Sequence, residues 1–130
     1  MSPFGNAALT AVEAVISGKI ASPIDAWSYA VKLTFPHSES LQKKGCPKST
    51  FLGLCENGLI KHIPTGKYTR SIKNKEYGLI ALNLLIENPS LCDNKDLLWQ
   101  AVTMGKDITP NHQMEIVISL WKSNLLVHPE

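Results

Sequence analysis

A chain of 130 residues with 44% hydrophobic and 18% charged side chains excludes a disordered or fibrous protein. At that size one domain should bury roughly two-thirds of the surface its unfolded form exposes, so we read residues 1–130 as a single globular domain. The formal charge of +2 excludes a uniformly basic or acidic molecule, and no apolar run approaches the roughly 20 residues of a membrane span, so no membrane partner is expected.

The chain opens on an apolar stretch that carries Glu13 and has no basic start, which reads as a folded helix rather than a secretory signal. Its spacing predicts a helix from near Pro3, with Ala8, Leu9, Val12, Val15 and Ile16 on one side and Gly18 as the stop. Ser22 then caps a second helix, with Pro23 at its first position and Asp25 in its first turn, burying Ile24, Trp27, Val31 and Phe35 before Pro36. PHSESLQKKG is polar and reads as a loop. A third helix fits Pro47 to Asn57; Gly58 can take the left-handed cap conformation, and Leu59 would then fold back on Leu54. Residues 60–69 frame a turn made from Pro64, Thr65 and Gly66, as either a short hairpin or a wing-like loop.

Ser71 or Asn74 caps a fourth helix in which Tyr77, Ile80, Ala81, Leu84 and Leu85 share a face. A fifth has Asp93 as cap, Asp96 as the reciprocal residue and Gly105 as terminator, burying Leu97, Leu98, Ala101 and Val102. The sixth starts with Thr109 as cap and Pro110 inside it, and places Met114, Val117, Ile118, Trp121 and Leu125 on one stripe. The expected fold is mainly α, about six helices in one compact orthogonal bundle, with Trp27, Trp99 and Trp121 as core anchors.

Charge is distributed unevenly. Residues 43–75 hold eight basic residues against Glu56 alone, a net +7, while the rest of the chain has five basic and ten acidic residues, a net −5. A field of that size steers anions even on a nearly neutral molecule. GCPKST invites comparison with a phosphate-binding loop, but Gln42 and Pro47 stand where that loop needs glycines, and Pro47 has no amide to offer a phosphate. A helix starting at Pro47 would still turn the free amides of Lys48 and Ser49, and the hydroxyls of Ser49 and Thr50, toward an anion, with Lys43, Lys44 and Lys48 reinforcing them. Against this stands plain capping by Ser49 or Thr50, with hydrated lysines.

The short helix followed by GLIKHIPTGKYTRS has the layout of a winged helix-turn-helix, in which wing cations contact phosphate. Lys61, Lys67, Arg70, Lys73 and Lys75 would then meet the backbone of a nucleic acid, with Tyr68 packing on sugar. FLGLC is too apolar for that helix to present much surface to bases. The leading expectation is therefore a binding protein that contacts nucleic acid or another polyanion through residues 43–75. A module docking an acidic protein partner through the same residues is the alternative.

A thiol at a helix start near lysines is a candidate nucleophile, which makes Cys46 the one weak catalytic candidate. None of His37, His62, His112 and His128 is linked to it by a known spacing, and no complete catalytic motif exists, so the reading leans away from an enzyme and keeps a small cysteine-dependent enzyme centred on Cys46 as a further alternative. Cys46, Cys55 and Cys92 contain no CxxC and show no metal-ligand spacing, which points to reduced thiols in a cytoplasm with no metal and no cofactor.

GCPKSTFLGLC, GLIKHIPTGKYT and SIKNKEY, together with SPFGNAA, SPIDAW and FPHSESLQKKG, resemble a family of small bacterial proteins classed as a domain of unknown function. The resemblance implies a stand-alone bacterial domain and carries no activity and no site residue with it.

Overall fold

Serine hydroxyls set the entry of four helical segments. Ser2 accepts from the amide of Gly5 at 3.0 Å, Ser22 from Ile24 at 3.2 Å, Ser38 from Leu41 at 3.3 Å and Ser71 from Asn74 at 3.4 Å, each satisfying a first-turn amide that has no partner inside its helix. The computed structural model describes residues 2–128. The segments are α1 (Pro3–Ile16), α2 (Pro23–Thr34), the single turn α3 (Glu39–Gln42), α4 (Gly45–Glu56), α5 (Ile72–Glu87), a 3₁₀ turn (Pro89–Asp93), α6 (Lys95–Val102) and α7 (Gln113–Lys122). The protein is mainly α, as its apolar periodicity requires, with six helices of eight residues or more and no strand among the described residues.

Helix ends follow the expected chemistry with local corrections. Gly58 takes φ 70°, its amide meets the Cys55 carbonyl at 3.0 Å and the Leu59 amide meets the Leu54 carbonyl at 3.0 Å, the paired C-terminal closure in which glycine relieves the Cβ clash of a left-handed residue. After α6 the same closure falls on Met104 at φ 53°, one residue before the expected Gly105. The cap of α6 is Asn94, whose side chain accepts from Leu97 at 3.0 Å; the expected cap Asp93 ends the 3₁₀ turn and pairs with Lys122 at 3.2 Å. Ser38 makes a helical turn of part of the segment read as loop.

Two starts differ more. α4 begins at Gly45, not Pro47, so Ser49 and Thr50 lie beyond its first turn and cap nothing. α7 begins at Gln113, and Thr109 to His112 are irregular. The Trp99 indole N–H donates to the Ile108 carbonyl at 2.7 Å, the Asn111 amide to Gln113 Oε1 at 2.6 Å, and His112 stands at φ 66°; these ties hold the segment out of the helix.

Residues 60–69 are a loop, not a hairpin. Their backbone pairing is with the C-terminal segment, through an antiparallel bridge of Ile60 with Leu126 and a 2.8 Å bond from the Lys61 amide to the Leu125 carbonyl.

α1 packs on α2 and α7, α4 on α5, and α7 reaches α4, α5 and α6. The core holds Trp27 stacked on Phe51 at 5.2 Å, with Leu52, Leu54, Leu82, Leu85, Leu98, Ile116, Leu120 and Leu126 all buried. Trp99 is buried with Trp27, whereas Trp121 is half-buried and stacks on His128 at 4.9 Å. Ile16, Ile24, Ile80 and Leu97, expected inside, are 36–49% exposed: each lies at the margin of its apolar stripe, where propensity and period alone do not decide burial.

The α4–α5 contact is close because α4 lacks a side chain where α5 crosses. A Cβ on Gly53 would stand 2.7 Å from Lys75 Cβ and 2.8 Å from Lys75 Cα, whereas one on Gly45 would meet nothing within 4 Å. Helix propensity favours alanine over glycine by about 0.5–1 kcal/mol at either position. Gly53→Ala should nevertheless destabilise by about 1–3 kcal/mol because backbone, not a flexible tip, is in the way, while Gly45→Ala should be neutral or slightly stabilising. Urea midpoints of the two variants check the opposite signs.

Candidate anion-binding cleft

α4 and α5 start near one another, and the irregular segment before α7 closes the space between them. Lys44 and Cys46 from the start of α4, Lys73, Asn74 and Tyr77 from the first turns of α5, and residues 108–113 line a cleft of about 590 Å³. No carboxylate lines it. By contrast, the cavity of about 340 Å³ beside α7 mixes Asp93, Lys95, Glu115 and Lys122, whose charges pair off at 3.2 Å (Lys122 with Asp93) and 3.9 Å (Lys95 with Glu115).

The walls are tied together. Gln113 is only 3% exposed, and its amide bridges two elements: Oε1 accepts from the Asn111 backbone at 2.6 Å, and Nε2 donates to Asn74 Oδ1 at 3.3 Å. A buried amide with both ends satisfied costs nothing in lost hydrogen bonds and fixes the spacing of the groups it joins. Tyr77 is held edge-on to Trp99 with centroids 5.0 Å apart. His112 packs 4.6 Å from Phe4, and its Nδ1 lies 2.7 Å from Glu115 Oε2, which orients the ring and leaves Nε2 as the nitrogen able to serve a ligand.

Of the two lysines, Lys44 makes only a 3.4 Å contact with Asn111 Oδ1, and Lys73 makes no ion pair among the described residues. Lys44 is also the N-cap of α4 and contributes no side-chain acceptor to it. The helix start beside the cleft therefore keeps its positive end without an internal anion to offset it.

The other residues singled out in the sequence are dispersed. Lys43 pairs with Glu39 at 2.6 Å. Lys48 is exposed and Ser49 half-buried on α4, and neither lines the cleft. Thr50 is fully buried, its hydroxyl donating to the Cys46 carbonyl at 2.9 Å, so it is a packing residue and not a ligand contact. Lys61 reaches Asn124 at 3.2 Å, beside the C-terminal segment. Lys67 and Arg70 are exposed on the loop. The Tyr68 hydroxyl donates to the Pro64 carbonyl at 2.7 Å and closes the loop on itself.

Lys75 is neutralised by Glu56 at 2.5 Å. The same carboxylate accepts from the amides of Tyr68 at 2.8 Å and Thr69 at 3.3 Å. Glu56 thus clasps the loop and the first turn of α5 to the end of α4, where the wing reading expected a protruding basic arm. Asn111 and Gln113 escaped sequence reasoning, which reads Asn74 and Tyr77 only as helix residues and weighs His112 only as a base without a known spacing to Cys46. The available signal was the Asn-His pair after Pro110, since both residue types are enriched at positive φ.

Fold and cleft together define a mainly α protein that has, among its described residues, a lysine-bearing cleft with no carboxylate in its lining. The chain belongs to a family of unknown function, DUF6979, whose model matches residues 1–127. No curated protein matches the chain, and no solved structure does. Among the described residues no helix is long and apolar enough to cross a membrane.

The Lys75 ammonium and the Tyr68 and Thr69 amides hold the Glu56 carboxyl at about 2, below its ordinary 4.5. A depressed carboxyl contributes stability above its unfolded value and loses it as pH falls through the folded one. Glu56→Gln should cost about 1–3 kcal/mol at neutral pH, because the lysine and the loop amides lose a charged acceptor. The gap between wild type and variant should stay constant above pH 4.5 and close as pH falls toward about 2. Urea unfolding across that range checks both the size and the sign.

Proposed function

We propose that the protein is a binding domain for a phosphate-bearing polyanion, nucleic acid foremost, and that the contact is made at the Lys44–Lys73 cleft. The observation that supports this reading is that one lysine from each basic edge of residues 43–75, Lys44 and Lys73, lines a concave surface with no carboxylate in its lining. Concavity matters because low-dielectric walls concentrate the field of two ammonium groups that would be screened on a convex surface. The start of α4 adds its dipole in the same direction. Lys48, Lys67 and Arg70 are exposed and without an ion pair among the described residues, but they do not line the cleft.

Fluorescence anisotropy with short DNA and RNA fragments over a salt series tests the proposal. With two lysines reaching phosphate, log K against log salt should fall with a slope of roughly −1.4 for a single strand. Lys44→Glu combined with Lys73→Glu should abolish binding, while Lys61→Glu, beside Asn124, should change it little. Absence of binding at low salt, or binding unchanged by the double reversal, would overturn the proposal.

One observation favours a second reading, thiol chemistry at Cys46. His112, oriented by Glu115, lines the same cleft as Cys46, and a histidine whose Nδ1 is held by a carboxylate is arranged as a base orients in thiol and serine enzymes. Cys92, half-buried like Cys46, serves as an internal standard. Alkylation at about pH 6.5, followed by peptide mass spectrometry, should modify Cys46 faster than Cys92, with the excess lost in His112→Ala; equal rates discard this reading.

A further inference from the structure

The cleft is shaped for one anionic group, not for a track of them. Of the cations in residues 43–75, Lys43 and Lys75 are paired with Glu39 and Glu56, Lys61 is turned to Asn124, and only Lys44 and Lys73 meet in one concavity. A duplex carries one phosphate charge for every 1.7 Å or so of helix axis, and binding along it takes a row of cations rather than two. Two lysines across a cavity of about 590 Å³ instead match a ligand of small-molecule size.

Charge selects the type of group. An internal phosphodiester carries a single negative charge, whereas a phosphomonoester carries about −1.5 to −2 near neutral pH and presents three acceptor oxygens. Lys44 and Lys73 supply two positive charges, and the lining adds the Tyr77 hydroxyl as a further donor, while the Asn74 side chain is engaged by Gln113 and Ser71 and the His112 ring by Glu115. The Tyr77 hydroxyl has no hydrogen-bond partner among the described residues. The frame is built in advance, because buried Gln113 fixes Asn111 to Asn74 and Glu115 fixes His112. His112 also stands at φ 66°, a conformation that costs a non-glycine residue energy and persists only where its surroundings enforce it. Donors held in place lose little freedom when an anion arrives.

We infer that the cleft receives a terminal phosphomonoester, held between Lys44 and Lys73. This rests on the polyanion reading only for the source of the group: the phosphorylated end of a nucleic-acid strand offers it, and so does a free mononucleotide. The shared chemistry is the dianionic phosphate.

The test uses the full chain and one single-stranded oligonucleotide in three forms, with a 5′-phosphate, with a 3′-phosphate and with both ends hydroxyl, followed by competition with a mononucleotide and with inorganic phosphate. One phosphorylated form should bind about tenfold more tightly than the hydroxyl form, the worth of one added charge-assisted contact. Lys44→Met and Lys73→Met, which keep much of the apolar stem, should each remove that difference; circular dichroism confirms that both variants remain folded. If all three forms bind equally tightly, internal phosphates are the contact, so the terminal-phosphate inference falls while the polyanion reading stands. If the mononucleotide competes as strongly as the phosphorylated oligonucleotide, the inference stands and the polyanion reading falls. If no form and no competitor binds, both fall.

Discussion

The carboxylate of Glu56 is the constraint on which the α4–α5 junction and the cleft beside it depend. It ends α4, accepts from the Lys75 ammonium in α5 and takes two amides of the intervening loop. A carboxylate with only 15% of its side chain exposed would be costly without such partners. With three donors it becomes the clasp that sets where α5 begins relative to α4. Gly53 lets the crossing close to backbone contact with Lys75, the same residue that Glu56 grips. Charge pairing and steric closeness therefore act on one residue, and the first turn of α5, with Lys73, Asn74 and Tyr77, is delivered to the cleft as a consequence.

This changes what the local charge of residues 43–75 means. As a sum over the sequence it is +7, but a field is made by charges in space. Part of that charge is cancelled by ion pairs, part is scattered over the loop and toward the C-terminal segment, and part converges. Surface pairs such as Lys43–Glu39 contribute little to stability, yet they matter for recognition because they subtract cations from any extended basic face. The converging remainder is small, and its concave setting gives it more effect than its count.

Most helices and some of their caps were legible because their determinants are local. Ser22 and Ser71 mark starts through hydroxyl geometry, Gly58 marks a stop through its φ, and the stripes containing Val12, Val31, Leu85 and Val117 mark the core. Stripe margins were not legible. Ile80 satisfies the helical period as well as Leu85 does, and which of them is covered depends on the neighbouring helix. Of the cleft, only Lys44, Cys46 and Lys73 could be named in advance, because they lie in the basic segment. Asn74 and Gln113 look like ordinary polar helix residues until the fold makes one accept from the other across 3.3 Å.

The largest misreading coincides with the cleft wall. Thr109 and Pro110 form a sound helix-start signal, and by local preference α7 should begin there. It does not, because the Trp99 indole captures the Ile108 carbonyl, Gln113 folds back on the Asn111 amide and His112 is driven to a left-handed conformation. Had the helix run from Pro110, the backbone of 110–112 would have been drawn into a regular cylinder, and the wall facing Lys44 and Lys73 would be a different surface. Tertiary contacts thus override a local signal at the point where the surface is concave instead of convex. Conflict between local preference and observed structure is expected at sites kept for binding rather than for stability, and here it falls on the segment that separates a cationic cleft from an ordinary helix junction.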